Sequence, residues 1–141
     1  MKMKSSSLIS ISLLFSLLFH SCSLENRVEV KISSNDTMFI YVRQKVLNDK
    51  YKFAIQLDSI TEESRCPEGV ECIWAGNARA KFNLTETGNN HQFSLNTNTA
   101  FGNDTIIGEI RYKLINLLPY PSVNKPLQYS SYYAVIAVSK K

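Results

Sequence analysis

The sequence predicts an all-β fold: a single antiparallel β-sandwich, Ig-like, of about seven short strands behind an N-terminal signal peptide. Three observations carry this. Apolar residues recur at every second position in several runs, the breaks between the runs are short and hold turn residues, and no window of a dozen residues has a helical period. A small barrel is the alternative arrangement of the same strands. With 141 residues, the chain has room for a leader and one domain with a real core, and none for a second domain.

The elements follow in order. Lys2 and Lys4 precede the apolar run Leu8 to Phe19 and then His20-Ser21-Cys22. A charged start followed by a short apolar stretch is the layout of a secretory signal peptide. The run is shorter than the about 20 residues that a membrane-spanning helix requires. Its end, with Leu17, Leu18 and the small Ser21 before Cys22, resembles a bacterial lipobox, although Phe19 and His20 depart from the strict pattern. The resemblance implies a signal peptide over 1–21, acyl chains on Cys22 and a partner in the lipid bilayer. Residues 22–26 then form a lipidated tether and 27–141 the sandwich domain. Each buried methylene contributes about 0.8 kcal/mol, so two or three chains on one cysteine hold a protein permanently. Neither Asp directly after Cys22 nor an adjacent acidic pair is present. The expected location is therefore the cell envelope, at the outer membrane, facing the periplasm or the surface.

Val28, Val30 and Ile32 alternate with Glu29 and Lys31, and Phe39 and Tyr41 alternate with Ile40 and Val42 in a segment that reads as buried on both faces. Tyr51, Phe53, Ile55 and Leu57 form the cleanest half-buried pattern. Ala78, Ala80, Phe82 and Leu84 give another, and further strands are expected at Gln92 to Asn96, Ile110 to Leu117 and Tyr132 to Val138. Turns are expected at Asn48-Asp49, Thr87 to Asn90, Phe101 to Asp104 and Pro119 to Ser122.

With Cys22 acylated, Cys66 and Cys72 remain as an even pair in a compartment that permits disulfides, and the expectation is that they bond to each other. Pro67 and Gly69 let the short loop reverse, and chain-entropy arithmetic for seven residues gives roughly 2.4 kcal/mol. A metal site using both thiolates and His91 has the wrong spacing and too few ligands. A redox pair lacks the Cys-x-x-Cys spacing.

The segment Ser64-Arg65-Cys66-Pro67-Glu68-Gly69-Val70-Glu71-Cys72-Ile73-Trp74-Ala75-Gly76-Asn77-Ala78 resembles a motif S-R-C-P-x-x-V-x-C-x-W-A-G-x-A of small secreted or lipid-anchored bacterial proteins. That resemblance extends over about 100 residues, through the turn at Pro119-Tyr120-Pro121 and the Tyr132-Tyr133 strand, and implies no activity. Glu63 stands where the motif leads one to expect Asp. Physically the segment reads as a disulfide-closed corner. Ile73 or Trp74 is expected to begin the next strand, the Trp74 indole to pack over the disulfide or the sandwich edge, and Gly76 to mark a bulge or close backbone approach. Arg65 is expected in an exposed pair with Glu62, Glu63 or Glu71, worth about 0–1 kcal/mol.

Several classes of chemistry lack their residues. His91 falls in a polar turn, away from any serine and carboxylate arrangement. Asp58, Glu62, Glu63, Asp104 and Glu109 show no spacing that separates catalytic carboxylates from surface charge. No phosphate loop, zinc-protease helix or dinucleotide fingerprint is present. Without residues 1–21 the chain loses Lys2 and Lys4 and its charge falls from +4 to +2, too little for nucleic-acid binding. The expectation is a non-enzymatic binding or scaffolding module with no cofactor or metal, contacting an envelope protein or glycan. Its candidate binding residues are Pro67, Glu68, Val70, Glu71, Trp74, Tyr120 and Tyr129, since tyrosine exposed on a loop stacks on sugars or packs against protein. The alternative is a protease inhibitor presenting the loop 66–72, with a small hydrolase third.

Overall fold

Alternation of apolar and polar residues builds two sheets, each with one face turned inward. The computed structural model describes residues 29–32 and 36–141. The leader, Cys22 and the tether 22–26 lie outside the described residues, as does Val28. Nine strands are present among the described residues: β1 (Glu29–Ile32), β2 (Thr37–Tyr41), β3 (Lys45–Asn48), β4 (Phe53–Glu63), β5 (Ala78–Glu86), β6 (Asn89–Asn96), β7 (Asp104–Ile107), β8 (Ile110–Leu118) and β9 (Tyr133–Lys140). One sheet has the order β1-β3-β4-β5-β6 and the other β2-β9-β8-β7. All neighbours are antiparallel except β1 and β3. The likeness to an immunoglobulin domain lies in the two packed sheets. The strand order is two consecutive meanders, β3 to β6 and β7 to β9, with β1 and β2 added at the edges.

One core lies between the sheets. Val46, Ile55, Leu57, Phe82, Leu84 and Leu95 meet Met38, Ile40, Tyr112, Leu114, Leu117 and Ile136 in a single buried cluster. Ala78, Ala80, Phe82 and Leu84 all point into it, as their alternation requires. Tyr112 packs edge-on against Phe53, with ring centroids 5.2 Å apart. Its hydroxyl has no hydrogen-bond partner among the described residues, and burial, reinforced by Glu86, pushes its pKa far above the usual tyrosine range.

Two strands escaped the sequence. β3 buries Val46 and Asn48, so a polar residue occupies an inward position that alternation arguments assign to an apolar one. Asn48 is tolerated there because its Oδ1 accepts from the Tyr51 N–H at 3.0 Å. The expected turn at Asn48-Asp49 thus begins one residue late. β7 is a sheet edge without alternating burial, so Asp104 starts a strand rather than closing a turn. Two expected patterns are corrected. β2 is an edge strand buried on one face, with Met38 and Ile40 inside and Phe39 and Tyr41 about half exposed; outside, these two rings lean on Tyr133. His91 lies within β6, opposite Leu84, because Thr87 and Gly88 both take positive φ and close a two-residue hairpin.

Candidate functional site

The chain leaves β4 at Glu63 and re-enters β5 at Ala78, and the motif segment is the loop between them. Its neck is pinned by backbone: Ser64 N–H donates to Asn77 O at 2.7 Å, and Cys66 N–H to Ala75 O at 3.2 Å. Gly76 sits at φ +69°, and a Cβ there would lie 1.8 Å from Ser64 O. The expected close approach is therefore real, and glycine is the residue that permits it. Asn77 Nδ2 donates to Asn96 Oδ1 at 2.9 Å, and Asn96 Nδ2 to Phe101 O at 2.8 Å, so buried amides brace the neck against the neighbouring loop. Cys66 and Cys72 are bonded, with Cα atoms 5.9 Å apart.

Arg65 departs most from expectation. Its pair with Glu63 is buried, both side chains being 1% exposed. Nε donates to Glu63 Oε1 at 2.9 Å and Nη2 to Oε2 at 2.5 Å. The remaining donors cross to the other sheet, Nη1 to Leu117 O at 2.5 Å and Nη2 to Pro119 O at 3.1 Å. Tyr132 O–H donates to Glu63 Oε2 at 3.0 Å, and the guanidinium lies 4.3 Å from the Tyr120 ring centroid. Burial opposes the charge on Arg65, but Glu63 more than offsets it, so the group holds its proton even above the ordinary arginine range. Burial first, and then the Glu63 carboxylate, pushes Tyr132 up to about 12. Sequence spacing had offered this ion pair as a surface contact. The end of β8, 52 residues away from Arg65, is what encloses it.

The same arginine fixes a cleft. The Pro119–Tyr120–Pro121 turn follows β8 through a cis Leu118–Pro119 bond, and Glu68 N–H donates to Pro121 O at 2.9 Å. Between this turn and the start of β9 lies a hollow of about 660 Å³. Pro119, Tyr120, Pro121, Leu127, Tyr132 and Tyr133 give it an aromatic and prolyl wall, and Glu68, Lys125, Gln128 and Ser131 its polar groups.

Of the residues expected to bind, Glu68 and Tyr120 line the cleft. Tyr129 is half exposed, stacks on Tyr132 at 5.8 Å, and lines a smaller hollow of about 350 Å³ with Arg43 and Asp58. Pro67 is partly buried, and Val70 and Glu71 are exposed on the outer part of the disulfide loop. Trp74 corrects its expectation: it is 80% exposed and in no strand. The reversal at Gly76 turns the Ile73-Trp74 pair outward and delays β5 to Ala78. Sequence reasoning passed over Pro119, Pro121, Lys125 and Gln128 as cleft-lining residues, while Tyr132 is fully buried within the wall. The Pro-x-Pro turn was the available signal.

Three of the carboxylates weighed for hydrolysis have cationic partners. Glu63 is engaged by Arg65 and Tyr132, Glu62 lies 3.6 Å from Arg79, and Asp104 pairs with Arg111. Among the described residues no three His, Cys, Asp or Glu side chains converge on one point, and no helix is long and apolar enough to cross a membrane. Fold and site together define a two-sheet β-sandwich with a disulfide-closed loop locked to an aromatic cleft. No family model matches this chain, and searches of curated proteins and of solved structures return no match.

Proposed function

We propose that the chain is a membrane-anchored lipoprotein of the cell envelope that works without catalysis, as a binding or scaffolding module holding an envelope protein segment or glycan. The observation that carries this reading is the cleft beside the disulfide loop. Its about 660 Å³ fall within the about 300–1,000 Å³ of ordinary ligand sites, and an apolar wall with a few polar groups is their usual lining. The exposed ring of Tyr120, held by a buried guanidinium that also lies over the buried Tyr132 ring, is already ordered before a ligand arrives, which lowers the cost of binding. The resemblance of the residues before Cys22 to a lipobox supports the anchor. The inhibitor reading has less support, because Glu68 pairs with Ser122 and bonds to Pro121, so that part of the loop backbone is engaged within the domain.

A photo-crosslinking side chain placed at Gln128, in the cleft, and separately at Asn89, at the other end of the first sheet, tests the reading in the native membrane. A discrete adduct at Gln128, absent at Asn89 and lost with Tyr120→Ala, is expected. Equal labelling at both positions, or none at Gln128, refutes the cleft as a binding site. Intact mass of the chain from its own membranes, beginning at Cys22 with added acyl groups, tests the anchor separately.

A further inference from the structure

We propose that the end of the sandwich carrying Ile73 and Trp74 lies against the lipid bilayer, with those two side chains seated in its interfacial zone. The proposal rests on the reading that Cys22 is acylated, and it adds an orientation and a second, non-covalent membrane contact.

The exposure is built in. Ile73 is 91% and Trp74 80% exposed, yet they sit between the Cys66–Cys72 disulfide on one side and the neck pinned by the Ser64–Asn77 and Cys66–Ala75 bonds on the other. Holding an isoleucine and an indole rigidly in water has no folding benefit. The neighbourhood is apolar too: of twelve large hydrophobic side chains exposed among the described residues, seven fall within 66–74 and 119–129. These two segments are tied together by Glu68 and Pro121.

Chain geometry directs this end toward the anchor. Glu29 pairs with Lys45, and Lys45 with Gln56, so β1 begins level with Gln56. Because β1 runs opposite in sense to β4, its first residue faces the Glu63 end. From Gln56, β4 continues seven residues to Glu63, about 23 Å at about 3.3 Å per residue. Cys22 precedes Glu29 by seven positions, which span at most about 25 Å when fully extended. The two lengths match. With the tether continuing the line of β1, an acylated Cys22 leaves the sandwich no room to stand off, and the Glu63 end with its loop meets the bilayer surface.

Charge selects the mode of contact. The segments 66–74 and 119–131 hold Glu68, Glu71 and Lys125 as their charged residues, so anionic headgroups are not attracted. Indole and isoleucine side chains suit the interface of a neutral bilayer.

Trp74 is the sole tryptophan, so emission reports this loop alone. The full acylated chain is reconstituted in phosphatidylcholine vesicles, with and without bromine on the acyl chains, and compared with Ile73→Ser and with Cys22→Ala mixed with the same vesicles. Flotation reads the anchor, and the wavelength and quenching of Trp74 emission read the loop. Expected are flotation, emission at shorter wavelength than in buffer, quenching by brominated chains that Ile73→Ser weakens, and no gain from added phosphatidylglycerol. A chain that floats while Trp74 emits as a solvated, unquenched indole overturns the proposal and leaves the anchor standing. So does an emission shift that needs native membrane protein, which would assign the loop to a protein partner. A chain that does not float refutes the anchor, and Trp74 quenching by excess brominated vesicles then upholds the loop contact or, if absent, overturns it.

Discussion

Glu63→Gln keeps the volume of the side chain and removes its charge, leaving the Arg65 guanidinium buried and unneutralised. Three guanidinium N–H contacts and the Arg65 backbone N–H lie within 3.2 Å of the carboxylate, and both side chains are 1% exposed. Breaking a buried ion pair from one side costs about 3–5 kcal/mol. Leu117 O and Pro119 O keep their bonds to Arg65 and the glutamine can still accept one, so the lower value of about 3 kcal/mol is expected. Against a total stability of about 5–15 kcal/mol, that lowers Tm by about 10–15 °C. Urea unfolding followed by far-ultraviolet circular dichroism measures it, since exposed Trp74 makes a poor reporter. Glu62→Gln, one residue away, is the control: its pair with Arg79 is 3.6 Å long and nearly half exposed on both sides, so about 0–1 kcal/mol is expected. The double variant Glu63→Met with Arg65→Met should recover only part of the loss: it removes the uncompensated charge but leaves the Tyr132 hydroxyl and the Leu117 and Pro119 carbonyls without the partners they have in the fold. Equal, small effects of the Glu62 and Glu63 substitutions would refute the argument that Arg65 is enclosed.

Three other outcomes follow from the geometry. Tyr132 ionises near 10 when unfolded and is pushed up to about 12 in the fold; the folded state therefore binds more protons between those values, and stability falls with rising pH by up to about 2–3 kcal/mol. Tyr112 acts in the same direction, so it is the flatter curve of Tyr132→Phe relative to the parent between pH 10 and 12 that checks this. Gly76→Ala should destabilise by more than the roughly 1–2 kcal/mol of left-handed strain alone, since its Cβ would meet Ser64 O at 1.8 Å; a loss of cooperativity or of soluble yield is the readout. Tyr112→Phe removes an unpartnered buried hydroxyl and keeps the ring packed on Phe53, so thermal unfolding should show a gain of about 1 kcal/mol.

Alternation along Phe53 to Leu57, Ala78 to Leu84 and Tyr133 to Val138 is a local property, fixed by the two-residue period of an extended chain. It determined seven of the nine strands and most of the core without reference to any tertiary contact. Counting cysteines, with Cys22 set aside and an oxidising compartment expected, likewise led to the Cys66–Cys72 bond, and the Pro-x-Pro sequence to the turn at 119–121. What sequence spacing could not supply was burial at the cleft end. Glu63, Arg65 and Tyr132 are each common surface residues. Their enclosure depends on the end of β8 and the turn at Pro119 arriving from the other sheet, a long-range event with no trace in local pattern. The same holds for Asn48 in β3, made tolerable inside by hydrogen bonds to the following turn and to the Met38 sulfur, and for Trp74, which local hydrophobicity assigns to the interior and the reversal at Gly76 turns outward. Periodicity says which face a residue is on; which faces are covered, and which polar groups find partners when they are, was decided by how the two sheets close on each other.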